Sequence, residues 1–202
     1  MSSTTKLALA GLIFSLSSAA FAQAAAPTRL RGTIDAIDTQ NVTMTTREGK
    51  VLKLALTKDT GYSYVKAMQM SDIKSGSFIG AAGKPGRDGS IEALEVVVFP
   101  EERRGTGEGH YAWDLLPESS MTNATVAAVT QGASGQDLNL VYKDGSKKVT
   151  VPKGTPIVTI VNGQFADVKA GLPAFIVAVP REGGEFNASR IIVGKDGVAP
   201  PM

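Results

Sequence analysis

Residues 72–76 read DIKSG and residues 167–171 read DVKAG, so one motif occurs twice at an offset of 95 positions. On the same offset Pro85 matches Pro180. A repeat period this long indicates duplication of a whole domain and not a solenoid of short repeats. One architecture must therefore explain both halves of the chain. The residues outside the repeat become the first candidates for function.

The segments around the motif show the pattern of short strands. The run that begins at Arg29 alternates apolar and polar side chains, and residues 51–56 (VLKLAL) repeat the alternation. A period of two predicts half-buried strands, and the pairs at 48–49 (EG) and 144–145 (DG) predict hairpin turns. The predicted strands are 29–36, 41–46, 51–56, 62–65, 78–82, 91–99, 124–129, 138–142, 147–151, 157–161, 174–179 and 186–193, with helical turns at 68–74 and 166–171.

About six short strands per copy, with turns every eight to twelve residues, predict an all-β fold. We expect two tandem homologous small β-barrels, similar to oligonucleotide/oligosaccharide-binding barrels, at 29–99 and 122–196. A connector at 100–121 joins them, and a C-terminal tail follows at 197–202. Cores of barrels this small supply only about 3 to 5 kcal/mol, so we expect the two copies to support each other across an interface.

The N-terminus has the pattern of a secretory signal peptide. Lys6 precedes ten apolar residues at 7–16 (LALAGLIFSL), and 20–22 (AFA) fits the small-x-small cleavage rule, which predicts a signal peptide over 1–22. Ten apolar residues are too few to span a bilayer, and no later stretch is longer. We therefore expect a soluble bacterial protein, periplasmic or secreted, with a flexible tail at 23–28.

Composition excludes several classes of function. The chain has no cysteine, which excludes disulfides, thiolate metal sites and cysteine nucleophiles. Its 21 Lys and Arg residues nearly balance 19 Asp and Glu residues, and the two signs alternate along the chain. A nucleic-acid-binding domain carries a basic stripe or a high positive charge, so no nucleic-acid partner is expected.

The connector differs from both copies. Residues 100–121 read PEERRGTGEGHYAWDLLPESSM and contain the only histidine, His110, and the only tryptophan, Trp113. Glycines at 105, 107 and 109 give the backbone conformations that other residues avoid, or let another group approach closely. Ordinary linkers are polar and featureless. The aromatic and aliphatic residues of this one predict that it packs onto the barrels.

Three segments carry a resemblance to a known family: 104–110 (RGTGEGH), 113–115 (WDL) and 121–126 (MTNATV). They resemble exported bacterial proteins that have a signal peptide and two β-barrel units of a domain of unknown function. The resemblance covers nearly all of the chain after the signal peptide and implies the two-barrel fold and export. Such proteins often carry the description "metal ABC transporter permease". A permease needs several membrane spans and this sequence predicts none, so the resemblance implies neither transport nor catalytic residues.

The first hypothesis for function is an exported, soluble, non-enzymatic binding or scaffolding module of the cell envelope. Its partner would be an envelope protein or a small ligand, because small barrels bind ligands on one sheet face and ligand sites favour junctions between domains. Tyr111 and Trp113 would be anchors, and Arg103 and Arg104 would meet an anionic group. The alternative is that the connector only joins the barrels. The ligand-binding candidates are Arg103, Arg104, His110, Tyr111, Trp113 and Asp114.

The second hypothesis is a periplasmic copper-binding protein. Imidazole and thioether groups suit Cu(I), which gives His110, Met121, Met68 and Met70 as candidate ligands, and the indole of Trp113 could cover the ion. The combination is similar to the small periplasmic copper chaperone of copper/silver efflux, although the order and spacing differ here. Without copper, no cofactor is expected.

A hydrolase is the third hypothesis. His110, Asp114, Ser119 and Ser120 supply the residue types of a catalytic triad. No Gly-x-Ser-x-Gly pattern frames either serine. We therefore predict that the protein is not an enzyme.

Overall fold

The computed structural model describes residues 26–133 and 135–200, and these form thirteen β-strands joined by short turns. The prediction of an all-β protein is confirmed. The predicted signal peptide lies outside the described residues, as do parts of both predicted tails. The strands are β1 Thr28–Ile37, β2 Asn41–Thr46, β3 Val51–Ala55, β4 Gly61–Ala67, β5 Phe78–Pro85, β6 Ile91–Val98, β7 Gly109–Ala112, β8 Ser120–Gln131, β9 Gly135–Tyr142, β10 Gly145–Pro152, β11 Ile157–Asn162, β12 Pro173–Pro180 and β13 Phe186–Val193.

The two copies repeat the same elements in the same order. Strands β1 to β6 form the first copy, β8 to β13 form the second, and β7 belongs to the connector. The register of β1 with β2 shifts between Ile34 and Ala36, as the register of β8 with β9 shifts between Val126 and Ala128. The β5–β6 and β12–β13 hairpins also share a shift at equivalent positions. Bulges of this kind are designed features of a fold, so they support the duplication inferred from the sequence.

Two closed rings are present among these strands. Ring 1 runs β3-β2-β1-β12-β13 and closes through a parallel pairing of β13 with β3. Ring 2 runs β10-β9-β8-β5-β6 and closes through a parallel pairing of β10 with β6. Each ring therefore takes three strands from one copy and two from the other. Closure removes free sheet edges that would otherwise pair with other chains.

This exchange of strands differs from the expectation that 29–99 and 122–196 each close on themselves. The reason lies in the central pair, where β4 runs antiparallel to β11 and Val65 lies opposite Ile160. The register is symmetric about that pair. Because β4 and β11 are neighbours, each copy continues from this pair alongside the other copy. The β5–β6 hairpin therefore completes ring 2, and the β12–β13 hairpin completes ring 1.

The repeated motif has the same three structural roles in both copies. Asp72 accepts a hydrogen bond from the backbone N–H of Gln69 at 2.8 Å and caps a short 3₁₀ turn. Ile73 is buried in the core of ring 2, and its counterpart Val168 is buried in the core of ring 1. Gly76 follows with a φ of 88°, which favours glycine. The motif thus recurs because each copy uses an aspartate that caps the turn, an apolar side chain buried in a ring core, and a glycine with positive φ.

Each ring encloses its own apolar core. The largest wholly buried side chains of ring 1 are Ile34, Met44, Leu54, Ile176 and Ile191, and those of ring 2 are Ile79, Val96, Leu138, Leu140 and Val149. Side chains on a strand alternate between two faces, so residues between these positions point away from the rings. Those residues build the site described below.

Two further observations complete the fold. The described part of the predicted C-terminal tail is packed. Val198 packs against the buried apolar cluster that contains Val65 and Ile160, and Pro200 is buried. Among residues 26–133 and 135–200, no helix combines the length and apolar composition that a membrane crossing requires.

Candidate functional site

The strands between the two rings form a continuous sheet with one face outside both cores. Its order is β5-β6-β11-β4-β13-β12, and we call the face that points away from the rings the outer face. Six apolar side chains are buried there as one cluster: Val65, Val97, Val158, Ile160, Phe175 and Ile192. Phe99, which directly precedes the connector, and Trp113 of the connector pack against this cluster. The connector therefore covers apolar surface that the fold would otherwise expose.

The connector is held over the outer face by main-chain and side-chain hydrogen bonds. Strand β7 pairs antiparallel with the beginning of β8, with His110 opposite Thr122. The loop after β7 is closed by Ser119, whose main-chain oxygen accepts a hydrogen bond from the N–H of Trp113 at 2.9 Å. The Ser119 hydroxyl also lies 2.9 Å from the Trp113 carbonyl and 2.7 Å from the Leu116 carbonyl. These bonds fix the direction of the indole ring.

A cavity of about 290 Å³ lies between the connector and the outer face. We call it the connector cavity. Its apolar walls come from the outer face and from Phe99 and Met121, and its connector wall contains Tyr111 and Trp113. Gly80 provides part of the space, because a Cβ atom there would lie 2.6 Å from Asn123 Oδ1 and 3.1 Å from the Phe99 ring. The volume is at the lower end of the range for small-molecule sites.

Two arginines of β1 lie over the indole ring of Trp113. The Arg29 guanidinium lies 4.1 Å from the centre of the indole ring, and that of Arg31 lies 5.9 Å away. Asp114 pairs with both cations, at 3.5 Å from Arg29 and 2.8 Å from Arg31. Burial works against ionisation of Asp114, but the hydrogen bond from Arg31 and the two positive charges lower its pKa. Arginine stacking and the ion pairs together anchor the connector to ring 1.

Arg103 lines the connector cavity at the centre of the molecule. It donates a hydrogen bond to Asn162 Oδ1 at 2.7 Å, and Ser63 Oγ lies 3.4 Å away. Both partners are neutral and belong to the central pair of strands. Burial and the nearby guanidinium of Arg190 lower the pKa of Arg103. Arginine stays charged at any physiological pH, so two cations, Arg103 and Arg190, line the cavity.

Two buried polar atoms belong to residues that line the connector cavity. Asn123 is 6% exposed, and its amide nitrogen donates to the Thr106 carbonyl at 3.0 Å and to the Tyr111 hydroxyl at 3.2 Å. Its Oδ1 has no hydrogen-bond partner among the described residues, and neither has the buried Nε1 of Trp113. An unsatisfied buried polar atom costs about 1 to 3 kcal/mol. Both atoms are enclosed by protein beside the cavity and are not exposed to it.

The connector cavity brings together some of the residues that the sequence singled out. Arg103, Tyr111, Trp113 and Met121 line it. Tyr111 is 37% exposed, its ring meets that of Trp113 edge to face at 6.1 Å, and burial raises its pKa. The remaining candidates, Arg104, His110 and Asp114, are not among its lining residues.

Arg104 and His110 have structural partners elsewhere. Arg104 pairs with Glu101 and donates to the Gly76 carbonyl at 2.8 Å, which ties the connector to ring 2. The Nδ1 atom of His110 lies 2.8 Å from Thr122 Oγ1. Burial, followed by the charge of Lys147, lowers the pKa of His110.

The methionines proposed as copper ligands fall into two places. Met121 lines the connector cavity, whereas Met68 and Met70 line a second cavity of about 400 Å³ beside ring 2. His110 lines neither of them. Within the described ranges 26–133 and 135–200, no group of three or more His, Cys, Asp and Glu side chains could hold a metal ion. The thioether ligands Met68, Met70 and Met121 are outside these residue types, so copper binding stays a prediction.

Three residues of the site were not found by sequence reasoning. Arg29 and Arg190 lie on strands of the repeat, and Asn123 lies at the start of β8. The sequence pattern singled out the connector, and these three residues lie outside it. One signal was present: Arg190 stands at the repeat position that Glu95 occupies in the first copy. A reversal of charge between equivalent positions marks a place where the duplicated halves have diverged.

Comparison of the chain with protein-family models, with curated proteins and with solved structures gives no match. The chemistry of the site therefore follows from its own residues.

Proposed function

We propose that the protein is an exported, non-enzymatic binding module of the bacterial cell envelope, and that the connector cavity holds its ligand. Export rests on the predicted signal peptide. Each ring has five strands, the number found in the oligonucleotide/oligosaccharide-binding fold, and that fold binds ligands through one face and its adjoining loops. In this protein the binding face would be the outer face shared by both copies.

The observation that carries the proposal is the connector cavity itself, where apolar side chains and three arginines (Arg29, Arg103 and Arg190) line one space of about 290 Å³. A connector that only joined two barrels would fill this space with its own side chains. Its aromatic rings would also be fully buried, whereas Tyr111 is 37% exposed. Apolar walls with a few convergent polar groups are the usual composition of a small-molecule site.

Blocking the cavity tests the proposal. Val177 lines the connector cavity from β12, so Val177→Phe fills part of its volume. The matched control is Val141→Phe, because Val141 is 48% exposed on β9 and does not line the cavity. Each protein is incubated with a small-molecule extract of the cell envelope, desalted and measured by native mass spectrometry.

We expect the wild type and Val141→Phe to retain the same small molecule, and Val177→Phe to lose at least nine-tenths of it. Equal retention by all three proteins would place binding outside the connector cavity. No retained mass in the wild type would contradict a small-molecule function. Circular dichroism spectra of the three proteins check that the substitutions leave the fold intact.

A further inference from the structure

We infer that the ligand of the connector cavity is a small amphipathic anion, with an apolar body and one carboxylate or phosphate group. This inference rests on the proposed function and specifies the chemical class of the ligand.

The charge at the cavity has one sign. Arg29, Arg103 and Arg190 are among the lining residues, and the lining residues in the described part of the chain include no Asp or Glu. Arg29 is already engaged with Asp114 and the indole ring. Among the described residues, the Arg103 guanidinium donates hydrogen bonds to neutral oxygen atoms of Ser63 and Asn162, and the nearby charge is that of Arg190. An anion between these two guanidinium groups would replace repulsion by charge-assisted hydrogen bonds.

The fold itself does not require these two cations. Arg103 belongs to the connector, which has no counterpart in either copy, and the residue equivalent to Arg190 in the first copy is Glu95. Both rings close by the same pairings whichever residue stands there. The two arginines therefore converge for a reason other than ring construction. Arginine is the residue most suited to carboxylate and phosphate, because its fork of donors matches their oxygen atoms.

The rest of the cavity specifies an apolar body of limited size. Val97, Phe99, Ile160, Phe175 and Ile192 form apolar walls of the cavity. A volume of about 290 Å³ is small for a ligand site. The ligand is therefore a short alkyl or single-ring anion.

Trp113 is the only tryptophan and lines the cavity, so its fluorescence reports on this site alone. Four probes share one alkyl chain and differ in the head group: octanoate, octyl phosphate, octanol and octylammonium. Each is titrated below its critical micelle concentration while Trp113 emission is recorded. We expect saturable changes with octanoate and octyl phosphate, and dissociation constants at least tenfold lower than those for octanol or octylammonium.

Arginine variants locate the anion. Arg103→Gln and Arg190→Gln should each weaken octanoate binding at least tenfold while leaving octanol binding unchanged. The matched control is Arg181→Gln, because Arg181 is exposed, pairs with Glu185 and does not line the cavity. Its octanoate affinity should equal that of the wild type. Binding of octanoate should also weaken as salt rises.

The possible results separate the two levels of inference. Octanol or octylammonium binding as tightly as octanoate would overturn the anionic class and leave the binding function standing. Octanoate binding that survives both arginine substitutions would also overturn it. If none of the four probes changes Trp113 emission, both the anionic class and the proposed site are overturned.

Discussion

His110 is the only histidine of the chain, and it serves the connector and not the cavity. Its ring is partly buried against β8, where Nδ1 meets the hydroxyl of Thr122 at 2.8 Å. Because burial and Lys147 disfavour the charged ring, the pKa of His110 lies below its ordinary value of 6.5. In the unfolded chain the ring regains that ordinary value. Between these two pKa values the unfolded state binds more protons than the folded state.

This difference predicts a pH dependence of stability. The contribution of His110 is complete above pH 6.5 and is lost as the pH falls through the lower pKa of the folded state. The wild type should therefore have a smaller free energy of unfolding at pH 5.5 than at pH 7.5, measured by urea denaturation. His110→Gln keeps a polar side chain near Thr122 but does not titrate, and its loss over the same interval should be smaller. An equal loss in both proteins would contradict the assignment.

Some residues of the site could be predicted from the sequence, and others could not. Tyr111, Trp113 and Arg103 were identified because they stand outside the repeat. Asn123 and Arg190 are parts of ordinary alternating strands. Their role depends on which strand lies next to which, and that is set by tertiary pairing and not by local pattern.

At the scale of elements, the connector acts as a lid whose shape is fixed by the loop between Trp113 and Ser119. The Ser119 hydroxyl accepts a hydrogen bond from the Leu116 N–H at 3.0 Å and lies within bonding distance of two carbonyls. Ser119 is also buried. The hydrolase hypothesis needs this hydroxyl free to act as a nucleophile, but here it holds the loop closed.

Neighbouring serines provide a matched test of that role. Ser119→Ala removes the hydroxyl from the Leu116 N–H and the Trp113 carbonyl, so we expect a loss of about 1 to 3 kcal/mol in the free energy of unfolding. The emission of Trp113 should also shift to longer wavelength as the loop loosens. Ser120 has a buried hydroxyl with no partner among the described residues, so Ser120→Ala should cost much less or stabilise. Equal losses in the two variants would contradict the structural role of Ser119.

The whole molecule is an exchanged pair of copies, and this explains how two small cores are stable without disulfides. Neither ring is complete without strands from both halves of the chain. The strands of the two copies were predictable, because alternation and turn residues are local signals, whereas β7 in the connector was not predicted. The exchange was not, because the two copies present similar edges: a β5–β6 hairpin could pair with β1 or with β8, and the sequence patterns of the two are alike.

Cutting the connector tests the exchange. A protease site placed in the exposed segment at 105–108 separates β1 to β6 from β7 to β13 without breaking a ring pairing. We expect the two fragments to stay together in size-exclusion chromatography and to separate only in denaturant. Each fragment expressed alone should lack the native circular dichroism spectrum as a monomer, and mixing the two should restore it. Two fragments that fold independently as monomers would show that each copy closes on itself.

The pairing of β1 with β12 joins residues 28 and 178, near opposite ends of the described chain. During synthesis from the N-terminus, ring 1 cannot close until β12 and β13 have been made, and these strands lie near the end of the described chain. Contacts so distant in sequence slow folding, and unpaired strand edges invite aggregation in the meantime. A nascent chain that stops before residue 173 has nothing to complete ring 1, so acquisition of the native structure belongs to the time after synthesis.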